Sequence, residues 1–140
     1  MITLYKHTVD VPYSLHDMRI CRIENIDKTL KLYFEDGYLK NINSYQKVIG
    51  NVSIEKVNYD FCFAYLLSND GNVGEFSGKK YFLLDFLVQY KKFSFEVIDE
   101  TYGYNAVVYN GYLKVAEKDV FIELALTISY LGNIIYETEE

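Results

Sequence analysis

The chain has 140 residues, the length of one domain, with 14 basic and 20 acidic side chains and a formal net charge of −6. Half of the residues are hydrophobic and 24% are charged, which excludes a disordered chain, and the acidic balance disfavours binding to phosphate backbones or anionic lipid surfaces. The excess is uneven: residues 1–72 set 8 basic against 9 acidic groups, and residues 73–140 set 6 against 11.

In chain order the elements read mostly as strands. Met18 to Ile26 is apolar and β-branched but alternates poorly, which predicts a bulge. Leu30, Leu32 and Phe34 alternate with Lys31, Tyr33 and Glu35, the period-two pattern of a half-buried strand. Asp36-Gly37 then predicts a hairpin turn, with Tyr38 to Ile42 returning as the partner strand. Val52 to Ser68 is too long for one strand, so a bend near Lys56 is expected, with Asn69-Asp70-Gly71-Asn72 as the following turn.

Leu83, Phe86, Leu87 and Tyr90 form the apolar stripe of one amphipathic helix near residues 80–92, closed by Lys91 and Lys92. Such a short helix needs a sheet to pack on. Phe93, Phe95 and Val97 begin the next strand, and Asn110-Gly111 interrupts Ala106 to Val115 as a hairpin or bulge. Val120 to Ser129 alternates, Gly132-Asn133 turns the chain, and Ile134 to Glu137 is the last strand before a solvated, frayed tail of Glu137, Glu139 and Glu140. The expected fold is a single α+β domain over 1–140, mostly β, with antiparallel sheet of about eight strands and one helix. Gly37-Tyr38-Leu39-Lys40 recurs as Gly111-Tyr112-Leu113-Lys114, an echo expected from similar hairpin chemistry rather than duplication.

Few residues carry chemistry. Cys21 and Cys62 make neither a disulfide framework nor a metal knuckle and read as buried free thiols of a reducing cytoplasm. Asp70-Gly71-Asn72 lacks the ligand spacing of a calcium loop, Gly71 and Gly74 make no phosphate cradle, and no nucleophile elbow occurs. His16-Asp17 could be metal ligands or an acid–base pair, but adjacent strand residues diverge, and His7 is the one other histidine. Ser14 and Asp17 are equally suited to bonding turn backbone.

Asp99-Glu100-Thr101-Tyr102-Gly103-Tyr104-Asn105 is the densest polar stretch, and Asp99, Glu100, Tyr102 and Tyr104 are the candidate ligand- or partner-binding residues. It reads equally as a connection with Gly103 at a special backbone angle. Fifteen tyrosines fit both an interface-rich surface and the codon bias of an AT-rich, bacterial genome.

Ser14-Leu15-His16-Asp17-Met18-Arg19-Ile20, with Ile23 and the strand to Phe34, resembles the opening of small bacterial β-rich proteins, some of them classed as immunity proteins of toxin–immunity systems. The resemblance implies a non-enzymatic binder that blocks a toxin, and no catalytic residues to carry over. The functional expectation is a cytoplasmic protein-interaction module with a basic protein partner, no nucleic acid, no membrane and no cofactor. The alternatives are a module for a carbohydrate-like polar ligand and a metal-dependent hydrolase built on His16, Asp17 and the carboxylates. An exposed edge strand would also allow dimerisation.

Overall fold

The structure is a computed structural model that describes residues 1–3, 11–40, 46–69, 77–115 and 120–139. The turn at Asp70–Asn72, His7, Gly74 and Glu140 lie outside the described residues. Twelve strands are present among those described: β1 (Tyr13–Ser14), β2 (Arg19–Ile26), β3 (Thr29–Phe34), β4 (Tyr38–Lys40), β5 (Gln46–Val48), β6 (Gly50–Ile54), β7 (Phe63–Asn69), β8 (Lys79–Phe82), β9 (Phe93–Gly103), β10 (Ala106–Val115), β11 (Phe121–Ser129) and β12 (Ile134–Thr138). One α-helix, α1 (Leu83–Gln89), lies between β8 and β9. The fold is mostly β and antiparallel throughout, and several strands are only two or three residues long.

Nine strands form one sheet in the order β12-β6-β3-β2-β9-β10-β11-β7-β8, and β1-β4-β5 form a second. The large sheet is coiled. Tyr136 of β12 lies beside Tyr102 of β9 and Tyr109 of β10, although four strand steps separate β12 from β9. The two halves of the sheet are tied beyond β6 and β11, where Val57 bridges Tyr130, with the Leu131 amide on the Lys56 carbonyl and the Asn58 amide on the Ser129 carbonyl. Alternation sets which side faces in: Leu30 and Leu32, Ala64 and Leu66, Phe95 and Val97, and Leu124, Leu126 and Ile128 are buried in one core. The small sheet covers an end of this interior with aromatic rings, Tyr13 against Tyr38 at 5.3 Å and against Tyr136 at 4.8 Å.

Several expectations change in the folded chain. Asp36-Gly37 is a turn, with Gly37 at φ 74°, but β3 and β4 do not pair. β6 takes the edge of β3, and β4 leaves to join β1 and β5. Gly37 serves close approach: a Cβ there would lie 1.9 Å from the Val48 carbonyl oxygen. The Gly-Tyr-Leu-Lys echo has no structural counterpart, since Tyr38 is buried beside a turn and Tyr112 points outward from mid-strand.

The helix is shorter at both ends than the expected 80–92: Lys79–Phe82 extend to pair with β7, and Lys91 and Lys92 lie beyond its end at Gln89. Its stripe faces inward as expected: Leu83 and Phe86 are buried, and the Phe86 ring lies 5.9 Å from Phe93. The bend near Lys56 is present, with Lys56 at φ 53°. Cys62 is a buried free thiol, but Cys21 is exposed, because the bulge between Ile20 and Arg22 turns it out of the core. The tail is less free than its charge suggests: Glu137 accepts a 2.6 Å hydrogen bond from the Ser53 hydroxyl and pairs with Lys31 at 3.5 Å. The Glu139 amide donates to the Ile49 carbonyl.

Candidate functional site

β9 carries the polar stretch and divides it between two faces. Val97 pairs with Gly111 and Asp99 with Asn110, so Ile98 is an extra residue, a bulge in β9. The bulge shifts the side-chain phase by one. Before it Phe93, Phe95 and Val97 point inward; beyond it Glu100 and Tyr102 do, and Asp99 and Thr101 face out. Adjacent carboxylates therefore serve opposite surfaces. Tyr104 sits at the tip of the β9–β10 hairpin, almost fully exposed, and Asn105 rather than Gly103 takes the left-handed conformation there, at φ 56°.

The N-terminal motif folds onto this bulge. The chain turns at Leu15–Met18, with the Met18 amide donating to the Leu15 carbonyl and Asp17 at φ 64°. The Asp17 amide donates to the Val97 carbonyl at 2.7 Å. The Leu15 amide donates to Glu100 Oε2 at 3.0 Å, and His16 Nδ1 lies 2.6 Å from the Ile98 carbonyl oxygen. The turn brings His16 Nε2 within 3.3 Å of Asp17 Oδ2, so the two side chains converge where a straight strand would separate them. The Ser14 hydroxyl accepts from the His16 amide at 3.3 Å, the backbone-bonding role the sequence allows it. Two candidate clusters 82 or more residues apart in sequence thus meet at one bulge.

Behind them lies a buried acid–phenol cluster. Tyr102 donates to Glu100 Oε1 at 2.6 Å. Burial pushes the Glu100 carboxyl above its usual range, against the lowering effect of the Tyr102 and Leu15 hydrogen bonds. Burial likewise raises the phenols of Tyr102, Tyr109 and Tyr136, so all three are neutral donors. Tyr102 spends its hydroxyl hydrogen on Glu100, and the fully buried Tyr109 hydroxyl beside it makes no hydrogen bond of good geometry. An unpaired buried hydroxyl costs about 1–3 kcal/mol. Tyr109→Phe should therefore leave stability unchanged or raise it by up to about 1 kcal/mol, as read by urea unfolding. A loss larger than about 1 kcal/mol would mean that the hydroxyl holds a partner such as a buried water.

The outward face is different in kind. Register places Phe82, Phe63, Thr127, Val108 and Thr101 in one row across β8, β7, β11, β10 and β9. The next row is Lys80, Tyr65, Ala125, Asn110 and Asp99. The Phe63 and Phe82 rings lie 5.5 Å apart, tilted by 32°, with Lys80 Nζ 4.1 Å from the centre of the Phe63 ring. Tyr112 and Phe121 continue the surface, each 37% exposed. The helix packs on the inner side of β7 and β8, so no other described element covers this face. Beside the bulge a small pocket of about 200 Å³ is lined by Leu67, Asp99, Asn110, Tyr112 and Glu123, among others.

The structure thus separates the four candidates of the polar stretch into two inward, one outward and one at a tip. It adds the outward aromatics Phe82, Phe63 and Tyr65, of which Phe63 and Tyr65 occupy alternate positions of β7. No group of three His, Cys, Asp or Glu side chains that could hold a metal ion occurs among the described residues, and no helix among them is long and apolar enough to cross a membrane. No family model, no curated protein and no solved structure matches this chain.

Proposed function

We propose that the protein is a non-enzymatic interaction module of the immunity type, whose outward sheet face binds a basic protein in the bacterial cytoplasm. The observation that carries this reading is the two adjacent outward rows that bring Phe82, Phe63 and Tyr65 together with Lys80 and run across β11 and β10 to Thr101 and Asp99, with no other described element over them. Contiguous exposed aromatics mark interaction surfaces, and they contribute large contact area at low entropy cost. The net charge of −6 favours a basic partner, and Asp99 and Glu123 lie on this face.

A pull-down from source-cell lysate with wild-type protein and with Tyr65→Ala tests it. One basic protein should be held at low salt, reduced at high salt and lost with Tyr65→Ala. Equal retention by the variant would overturn the role of this face. A second reading, a carbohydrate-like polar ligand, is favoured by the small pocket, where Asp99, Asn110 and Glu123 surround Tyr112. It requires a thermal shift with a monosaccharide panel that is abolished by Asp99→Ala.

A further inference from the structure

The partner of β2 changes along its length. Arg19 and Ile20 pair with Glu96 and Phe95 of β9, and the pairing stops there. The bulge at Cys21 turns β2 away, and from Arg22 to Ile26 it runs with β3 alone. On the other side of the gap, Phe93 and Ser94 continue with β10. The two strands therefore splay, and the gap is an open cleft of about 510 Å³, within the usual size of ligand sites.

Its lining is unlike the rest of the molecule. Arg22, Lys91, Lys92 and Lys114 face it with a single carboxylate, Glu35, together with Ser94, Cys21 and Phe93. The lining carries a net charge of +3 in a chain of net −6. Arg22 is shared with Glu24 at 2.6 Å and lies over the Tyr33 ring. Among the described residues, Lys91, Lys92 and Lys114 have no ion pair with any carboxylate. Three lysines around one cleft with a single carboxylate among them leave an excess of positive charge, and an anion placed there offsets it.

We propose that this cleft binds a small phosphorylated molecule carrying one or two phosphoryl groups, held by Lys91, Lys92 and Lys114 with Arg22 and the Ser94 hydroxyl as further donors. A phosphoryl group presents three strong acceptors and takes donors from several directions, as this lining offers. The acidic remainder of the surface disfavours a long polyanion, whereas a small anion fits inside the cleft without meeting it. Lys114 stands where the cleft borders the outward face, its ammonium 5.8 Å from the Phe121 ring, and the proposal does not depend on the reading of that face.

Cys21 in the lining gives a direct readout. The probe is inorganic pyrophosphate, against sodium chloride at equal ionic strength and against citrate. Alkylation of Cys21 by iodoacetamide, followed by mass spectrometry, should slow about tenfold at a pyrophosphate concentration ten times its Kd. Citrate should protect less. The variant carrying Lys91→Ala, Lys92→Ala and Lys114→Ala should show no protection while keeping the wild-type thermal midpoint, since all three side chains are exposed. Protection no greater than with chloride, equal protection by citrate, or protection that survives in the folded triple variant would each overturn the proposal.

Discussion

Gly111→Ala should destabilise the protein by at least about 3 kcal/mol, the largest single-residue effect expected here. A Cβ at this position would lie 1.8 Å from the Glu96 carbonyl oxygen and 3.0 Å from the Phe95 ring. Overpacking usually costs about 1–3 kcal/mol when side chains can yield. Here the obstacle is backbone, and β9 must move by more than an ångström, breaking its pairing with β10 at the bulge. For a domain of ordinary stability, about 5–15 kcal/mol, that is a large fraction of the total. Urea unfolding reads it directly. A loss below about 1 kcal/mol would show that β9 and β10 are less closely apposed than described.

The second large effect concerns Glu100. Glu100→Ala should cost about 2–4 kcal/mol, because it leaves the Leu15 amide and the Tyr102 hydroxyl without their acceptors. The N-terminal turn should loosen with it, seen as faster amide exchange at Leu15 and Asp17. Glu100→Gln separates shape from charge. The carboxyl is raised in the folded protein, chiefly by burial. Between the unfolded and folded values, the folded state then binds more protons. Its contribution is full below the unfolded value near 4.5 and is lost as pH rises through the folded one. The Gln variant lacks this loss, so its stability relative to wild type should improve as pH rises from 4 to 8. Glu137 works in the opposite sense. The Ser53 hydrogen bond holds it below the usual range, so its contribution is lost as pH falls through the folded value. A wild-type minus Gln difference that is flat with pH, or of opposite slope, would contradict the buried placement of Glu100.

Much of the sheet is legible in the sequence because alternation is local. Leu30, Leu32 and Phe34, or Leu124, Leu126 and Ile128, announce their inward faces without reference to any partner. The helix stripe at Leu83, Phe86, Leu87 and Tyr90 is legible for the same reason. The partners of the strands are not. β3 pairs with β6 rather than with the strand after Asp36-Gly37, and the turn at Gly37 passes close against Val48 of β5, with which Tyr38 pairs in the small sheet. Lys79–Phe82 extend because the edge of β7 is open to them.

Of the proposed surface, Asp99 stands among the sequence candidates and the outward aromatics do not, and the arrangement was not legible. One extra residue, Ile98, decides that Glu100 faces in and Asp99 out, and nothing in the local pattern marks it. His16 and Asp17 converge because the Leu15–Met18 turn is bonded to Val97 and Glu100, a pairing that spans most of the chain. The cleft between β2 and β9 depends on where two strands part. The weak alternation of Met18–Ile26 signals the bulge at Cys21 but not the lysines that a distant helix end and β10 bring to it.

The central claim is that β9 sends Asp99 to a binding surface and Glu100 to the interior, and one comparison tests it most directly. Once the pull-down names a partner, its affinity should be measured for wild type, Asp99→Lys and Glu100→Gln at one ionic strength. Asp99→Lys should weaken binding about tenfold or more by reversing a charge at the interface, while Glu100→Gln should bind as wild type does. Loss of binding in Glu100→Gln with Asp99→Lys unaffected would contradict the assignment of the two faces.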